Sequence, residues 1–376
     1  MTYDIGFLGG GQLARMSIQA AQRMGLRCFS IDPGELTPAS QVADSLVGML
    51  SSPEDIARVL ERCERVTLEN EFIPADAIRE ALARVGRDER VVMPGTGTLA
   101  IIQDKLWQRE RYLLAGAPSP RAVPLEGDGS AAIEAIGFPM VLKARFGGYD
   151  GKGTRYARDE TELRSHAALW SGGGWLAEGF VRFTRELAVM VVRTAEEECC
   201  FPTMETVQVN HVCDLTMPAE LDASEVAIAA VRAVDGFGLF GVELFEAADG
   251  SLLINEIAPR PHNTGHYSLD WGGPSQFEVH VRAVMGYPIP ELQSNSYGVM
   301  ANILGRDMAG DFREGLADAL KEPGVFVHWY GKGQAKPGRK MGHLNVVRDP
   351  SVPVGEAKAA AIRAREQFYQ GWTKGV

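Results

Sequence analysis

Two glutamates flanking a tight turn are the first residues here whose types and spacing suggest chemistry. The segment "GVELFEAADGSLLINEIAPR" (residues 241–260) holds two apolar runs joined through Asp249-Gly250, a dipeptide that favours a two-residue hairpin loop. In that register Glu243 faces Glu256 directly. Like charges placed opposite each other on a sheet are destabilising. A hard cation such as Mg²⁺, which takes oxygen ligands, is the natural counterweight. Asn255 offers a further oxygen beside Glu256, although strict alternation starts its side chain on the other face. The competing reading is a solvated edge hairpin with two ordinary glutamates, but the surrounding runs are too apolar for an exposed ribbon.

Three other stretches could handle anions. In "KARFGGYDGKG", Lys143 closes a strand, and Gly147, Gly148, Gly151 and Gly153 then surround Tyr149, Asp150 and Lys152. Such a loop offers backbone amides as a flexible nest, with lysines as point charges for phosphate. It is not a Walker A loop, and an ordinary glycine-rich hairpin is the alternative. In "RPHNTGH", Arg260, His262, Asn263 and His266 fall in an irregular segment around Pro259 and Pro261. The His-x-x-x-His spacing lacks the glutamate and the helix that a zinc site of that type needs. The Arg, His and Asn cluster suits a small oxyanion such as bicarbonate, or else a structural loop capping the hairpin. In "HWYGKGQAKPGRKMGH", Lys332, Lys336, Arg339 and Lys340 crowd a Gly/Pro-rich turn, which reads as a phosphate clamp or as a solvated charged turn.

The stretch "DIGFLGGGQLARM" raises a different possibility. Gly9-x-Gly11-x-x-Ala14 follows a strand-like run, and the acidic Asp32 ends the next one, which fits a dinucleotide fingerprint. That reading, an NAD-dependent dehydrogenase, leaves the glutamate pair unexplained.

The elements that must position these residues can be read in outline. Residues 3 to about 100 alternate the apolar runs "DIGFL", "LRCFSI", "RVTLEN" and "RVVMPG" with helical patterns, a βαβ series that implies a parallel sheet. "DKLWQRERYLLAGAPSP" reads as one helix ended by Gly116 and two prolines. Strands "FPMVLKARF", "WLAEG" and "RELAVMVVRT" follow, then a helix in "SEVAIAAVRAVDGF", the hairpin, short strands from Tyr297 onward, and a helix near 355–370. With 376 residues, two or three domains are expected. A net charge of −11 argues against a nucleic-acid surface without excluding a local basic pocket. The five cysteines include no C-x-x-C pair, no membrane span is apparent, and no leader is expected ahead of the glycine loop. A cytoplasmic, reduced enzyme is the expectation.

Together, "GFLGGGQLARM", "GGYDGKG", "LLINEIAPRPHNTGHYSLD", "SQFEVHVRAVMGYP", "YGVMANILG" and "HWYGKGQAKPGRKMGHLN" resemble the ATP-grasp superfamily, and within it the N5-carboxyaminoimidazole ribonucleotide synthetases of purine biosynthesis. The resemblance implies a mixed α/β and α+β chain, an ATP-grasp fold with an N-terminal Rossmann-like (pre-ATP-grasp) domain over 1–100. The ATP-grasp domain would span 101–296 and a small β-rich C-terminal domain 297–376. It implies an ATP-dependent carbon–nitrogen ligase that uses ATP, Mg²⁺, bicarbonate and aminoimidazole ribonucleotide, without nucleic-acid or membrane partners, as a homodimer. Lys105 and Lys143 would hold ATP phosphates under the loop Gly148, Tyr149, Asp150, Gly151, Lys152, Gly153 and Thr154. Glu178, Gly179, Phe180 and Val181 resemble the hinge that reads adenine, with Glu186 on the ribose and Asn255 near the nucleotide. Glu243 and Glu256 would bind the metal. Tyr149, Asp150, Arg260, His262 and Asn263 match the site for aminoimidazole ribonucleotide and bicarbonate, Lys332 and Arg339 its 5′-phosphate clamp, and Gln12 would face that nucleotide.

The sequence departs from the family pattern in places. "TLENEFI" keeps Glu69 and Glu71 but changes their neighbours, Gln208 stands where a histidine near ATP is common, and Ala14 replaces a frequent glycine. A formate-dependent glycinamide ribonucleotide transformylase would share the ATP site but not "HNTGHYSLD" or the clamp. A non-catalytic paralogue would be expected to have lost a metal carboxylate.

Overall fold

The computed structural model describes residues 1–148, 153–307 and 310–373. Tyr149, Asp150, Gly151 and Lys152, the centre of the expected phosphate loop, lie outside the described residues.

The alternating apolar and helical segments of the first hundred residues build a five-stranded parallel sheet. Tyr3–Leu8 is its middle strand, between Cys28–Asp32 and Cys63–Leu68, with Asp44–Val47 and Val92–Met93 at the edges. Ile5 and Phe7 pack on Ala14, Ile18 and Ala21 of the helix Gln12–Arg23. Leu8 and Val66 join Ile56, Val59, Ile78 and Leu82 of the helices Pro53–Arg62 and Ala75–Val85. Local signals start these helices: Ser52 caps the second by accepting from Asp55 N, with Pro53 in its first turn.

The glycine loop between Leu8 and Gln12 is held by the chain itself. Asp32 accepts from Gly10 N through Oδ2 and from Gly34 N through Oδ1, both at 2.9 Å. Its carboxylate therefore ties down the loop and does not stand ready for a ribose. Glu69 packs against the glycines so closely that a Cβ on Gly11 would lie 2.2 Å from its Oε1. That oxygen accepts from Leu13 N at 3.4 Å. The helix N-terminus where a dinucleotide would set its pyrophosphate already carries a carboxylate.

A four-stranded antiparallel sheet follows, ordered Ala122–Pro124, Trp175–Gly179, Met140–Ala144, Thr154–Ala157. Beyond it a nine-stranded antiparallel sheet runs from the hairpin strands Leu252–Ala258 and Gly238–Ala247 through Phe183–Arg193, Met204–Val209 and Val212–Pro218. It continues into Tyr297–Leu304, Lys340–Arg348 and Val325–Trp329, because Leu215 pairs with Ala301 and Thr216 with Met300, and the ninth strand, Glu198–Cys200, pairs with the end of Phe183–Arg193. The C-terminal strands thus extend the central sheet and form none of their own. The helix Val354–Trp372 lays Ala357, Ala360, Ala361 and Ala364 on that extension, and small side chains permit the close approach.

If Glu69 fills the fingerprint's anion position, titration with NADH followed by fluorescence should detect no binding in the micromolar range. Micromolar affinity would contradict this account of the loop.

Candidate active site

One cavity of about 800 Å³ opens between the three sheets. The described residues that the resemblance implies for the site line it, whereas Lys336 of the candidate clamp and Gly147 of the glycine loop are not part of its wall. Gln12 comes from the start of the first helix; Lys143, Gly148, Gly153, Thr154 and Glu178 to Val181 from the four-stranded lobe; and Glu186, Gln208, Glu243, Asn255, Glu256, Arg260, His262 and Asn263 from the large sheet and the loop after it. Lys105, Lys332 and Arg339 complete the wall.

The hairpin reaches the expected pairing by an unexpected route. Next to the turn Leu244 pairs with Ile254 and Phe245 with Leu253. Ala247 N donates to Ser251 O at 2.9 Å, and Gly250 takes φ +82°. The loop therefore holds three residues, Ala248 to Gly250, with glycine in the left-handed position such loops require. A bulge between Glu243 and Leu244 on one strand, opposite Asn255, then restores the register, and Glu243 pairs with Glu256. The bulge also overturns the expected facing of Asn255. Ile254 and Ile257 stay in the core, while Asn255, Glu256 and Ala258 all line the cavity with Gly241, Glu243 and Phe245. The extra residue turns two successive side chains toward the same space.

Lysines answer the carboxylates. Asp104 caps the helix Lys105–Ala115, accepting from Leu106 N at 3.1 Å. Arg145 fixes Asp104 with two bonds, Nε to Oδ1 at 2.9 Å and Nη2 to Oδ2 at 2.5 Å. From this capped start Lys105 Nζ reaches Glu256 Oε1 at 3.0 Å. Lys143 Nζ lies 3.0 Å from Glu178 Oε2, and Arg109 Nη2 lies 3.0 Å from Glu178 Oε1. Burial pushes both Glu256 and Glu178 upward. Lys105 and Lys143 outweigh it for Glu256, and Arg109 with Lys143 for Glu178, so both carboxylates are held below their usual range. Burial lowers the Lys143 ammonium, against the pull of Glu178.

The Arg, His and Asn cluster adjoins this corner. Arg260 grips Glu71 with two bonds, Nε to Oε2 at 2.5 Å and Nη2 to Oε1 at 2.8 Å. Although burial opposes its charge, Glu71 and Glu69 hold its pKa above the ordinary value. Burial, reinforced by Arg260 and Lys340, depresses His262 to about 3, so the ring is neutral at physiological pH. Its Nδ1 meets Thr264 Oγ1 at 2.9 Å, its Nε2 lies 3.8 Å from Glu243 Oε1, and its main-chain N donates to Gln276 Oε1 at 2.9 Å. A Cβ on Gly241 would come within 2.5 Å of His262 Cβ, so this glycine lets the loop lie directly on the sheet. His266 shares that glutamine, its Nδ1 lying 2.8 Å from Gln276 Nε2. Asn263 and Asn302 exchange amide bonds of 3.0 and 2.6 Å, which leaves the Asn263 amide committed to the wall.

At the far end Lys332 Nζ donates to Lys340 O at 2.7 Å, and Arg339 Nη1 to Gln334 O at 3.1 Å. Burial, with Arg339 and Lys340 nearby, lowers Lys332 to about 8, against Glu69. At the opposite end of the cavity burial raises Glu186, against its bond from Gln208. Phe183 and Phe245 stack there with centroids 4.5 Å apart.

Several contributors were not assigned roles from sequence. Arg109 follows Lys105 by one helical turn, a same-face spacing that could have exposed it. The Glu71–Arg260 pair joins residues 189 apart in sequence, and nothing local announces it.

Glu178→Gln should lower the stability of the ligand-free protein by about 3–5 kcal/mol at neutral pH, because two buried cations lose their counter-charge. The folded pKa of Glu178 is depressed. Its contribution is therefore present above the ordinary carboxylate range and fades as pH falls through the folded value. Denaturant unfolding at neutral and acid pH should show the gap between wild type and variant closing in acid; equal stability at neutral pH would contradict it.

Three family models match the chain: a ribonucleotide synthetase preATP-grasp domain over 1–103, an ATP-grasp domain over 117–277, and a phosphoribosylaminoimidazole carboxylase C-terminal domain over 298–356. N5-carboxyaminoimidazole ribonucleotide synthase of Synechococcus elongatus is 38% identical over 358 residues, covering 91% of this chain and 89% of that protein. Phosphoribosylaminoimidazole carboxylase of Ogataea methanolica is 36% identical over 91% of this chain, and the chain spans 66% of its length. The crystal structure of N5-carboxyaminoimidazole synthase from Aspergillus clavatus, in complex with ADP and 5-aminoimidazole ribonucleotide, superposes with a TM-score of 0.87 at 30% identity. That match covers 98% of this chain and 99% of the other. The chain belongs to the N5-carboxyaminoimidazole ribonucleotide synthetase family of ATP-grasp enzymes.

Proposed function

We propose that this chain carboxylates the 5-amino group of aminoimidazole ribonucleotide with bicarbonate at the expense of ATP, releasing ADP and phosphate in purine biosynthesis. The observation that carries the reading is a single cavity that joins the opposed Glu243–Glu256 pair and its lysines to the Arg260–His262 pocket and the Lys332–Arg339 wall. Among the described residues no helix is long and apolar enough to cross a membrane. The reading extends to a cytoplasmic homodimer.

In this assignment the hinge at Glu178 to Val181 faces adenine, and Glu186 with Gln208 faces the ribose. Phe183 and Phe245 form an apolar side of the nucleotide slot. Gln12, Lys332 and Arg339 take the ribonucleotide and its phosphate, with Asp150 and Tyr149 contributed by the glycine loop. The oxygens of Glu243, Glu256 and Asn255, converging on one face beside a lysine, fit a hard divalent cation. Bound there, Mg²⁺ would neutralise phosphate charge.

The residues of the chain do the rest by position and charge. Lys105 and Lys143 bear the negative charge that builds on the transferred phosphoryl group. Arg260, kept charged and oriented by Glu71, holds bicarbonate. The neutral His262 ring adds a hydrogen-bonding group to that pocket without a competing charge. A bicarbonate oxygen attacks the γ-phosphorus, the bond to the β-phosphate oxygen breaks, and ADP leaves. The amine then attacks the carboxyl carbon of carboxyphosphate, inorganic phosphate departs with the bond electrons, and the amine loses its proton. Carboxyphosphate is short-lived in water, so the site must exclude water until the amine attacks.

With ¹⁸O-labelled bicarbonate, each inorganic phosphate released should carry one labelled oxygen from the bridging position. Unlabelled phosphate alongside normal product formation would overturn this path. Failure to form the N5-carboxy product at all would overturn the substrate assignment.

A further inference from the structure

Arg109 takes no part in the chemistry above, yet it stands at the junction of its components. Its side chain is only 6% exposed. Nη2 is shared between Glu178 Oε1 at 3.0 Å and the main-chain oxygen of Asn255 at 2.6 Å. The Tyr112 ring lies 5.7 Å from its guanidinium carbon. Nε and Nη1 find no partner among the described residues.

Fold stability is a poor reason for this arrangement. A buried ion pair gains little over apolar packing once desolvation is counted, and unpaired buried donors add a further cost. What the guanidinium does supply is geometry. Asn255 is the additional residue that opens the bulge, and its carbonyl is the group that Arg109 holds. Without the bulge, strict alternation would place Asn255 and Glu256 on opposite faces.

We propose that Arg109 is a positioning residue that pins the Asn255–Glu256 bulge, so that both side chains face the cavity, and that ties this corner to Glu178 beside the hinge. The identity of the ligand served by the corner rests on the function proposed above; the pinning does not. Three features carry the inference: one guanidinium nitrogen bridges two segments 77 residues apart, Glu178 and Asn255; it starts from the same helical face as Lys105; and it ends on the carbonyl at the irregularity.

The test reads backbone amide exchange in the full-length, nucleotide-free protein. In Arg109→Met, exchange across residues 252–258 should rise about 10- to 150-fold, the equivalent of one charge-assisted hydrogen bond. The strand Tyr3–Leu8 should keep its wild-type protection. In that variant Glu178 keeps Lys143 as its counter-ion at 3.0 Å, and should the fold still be destabilised, Arg109→Leu offers a second apolar replacement from which the same local readout is expected. Unchanged exchange over 252–258 in either folded variant, or an equal rise in every segment, would overturn the proposal. A parallel titration with ADP, with and without Mg²⁺, separates the two claims. A local rise in exchange with a smaller magnesium increment supports both. The same rise with an unchanged increment supports the pinning and overturns the metal assignment of this corner.

Discussion

Two carboxylates held opposite each other on one strand pair impose the constraint around which this cavity is built. Glu243 and Glu256 face each other across the ladder, and such a pair persists only where nearby groups favour the charged form. The lysines meet that need in graded fashion. Lys105 lies directly on Glu256, while Lys143 is drawn aside by Glu178. Lys105 and Lys143 are each already paired with a carboxylate, so their charges are balanced in the ligand-free protein. A nucleotide with its metal can exchange one set of partners for another.

The supporting shell is anchored by groups that the reaction does not consume. Asp104 caps the helix that presents Lys105, and Arg145, two residues beyond Lys143, fixes that cap. Arg260 is aimed by Glu71, from the end of the first sheet. The first domain therefore reaches the Arg260 corner of the cavity through a carboxylate as well as through its glycine loop. That loop looks like a dinucleotide fingerprint because close packing and a tight turn call for glycine whatever approaches. Here the approaching group is Glu69.

Much of this was legible in the sequence because the elements are locally consistent. The parallel βαβ series, the helix ending at Gly116 and the apolar hairpin each carry their own period and stop signals. The hairpin pairing was legible for an incomplete reason. Reading Asp249-Gly250 as a two-residue loop misplaces the strands by one position, and the bulge at Asn255 moves them back. No local rule announces a bulge whose carbonyl is held by an arginine on a helix far away in sequence. The strands Met204–Val209 and Val212–Pro218 escaped for a related reason. They are joined by Asn210-His211, both at positive φ, and histidine lacks the glycine signal that marks such turns. Gln208, flagged as a departure, lies on that hairpin and lines the cavity beside Glu186.

The central claim is that the opposed glutamates form a metal-dependent phosphate site rather than a structural ion-pair network. Calorimetric titration of ADP into wild type and Glu256→Gln, each with Mg²⁺ and with a chelator, tests it most directly. The account predicts that magnesium tightens ADP binding in wild type, and that the variant loses at least about tenfold of that gain, the lower bound for disturbing a metal site. Its metal-free ADP affinity should hold or improve, since a negative charge has been removed beside the phosphates. An equal magnesium gain in both proteins would contradict the account.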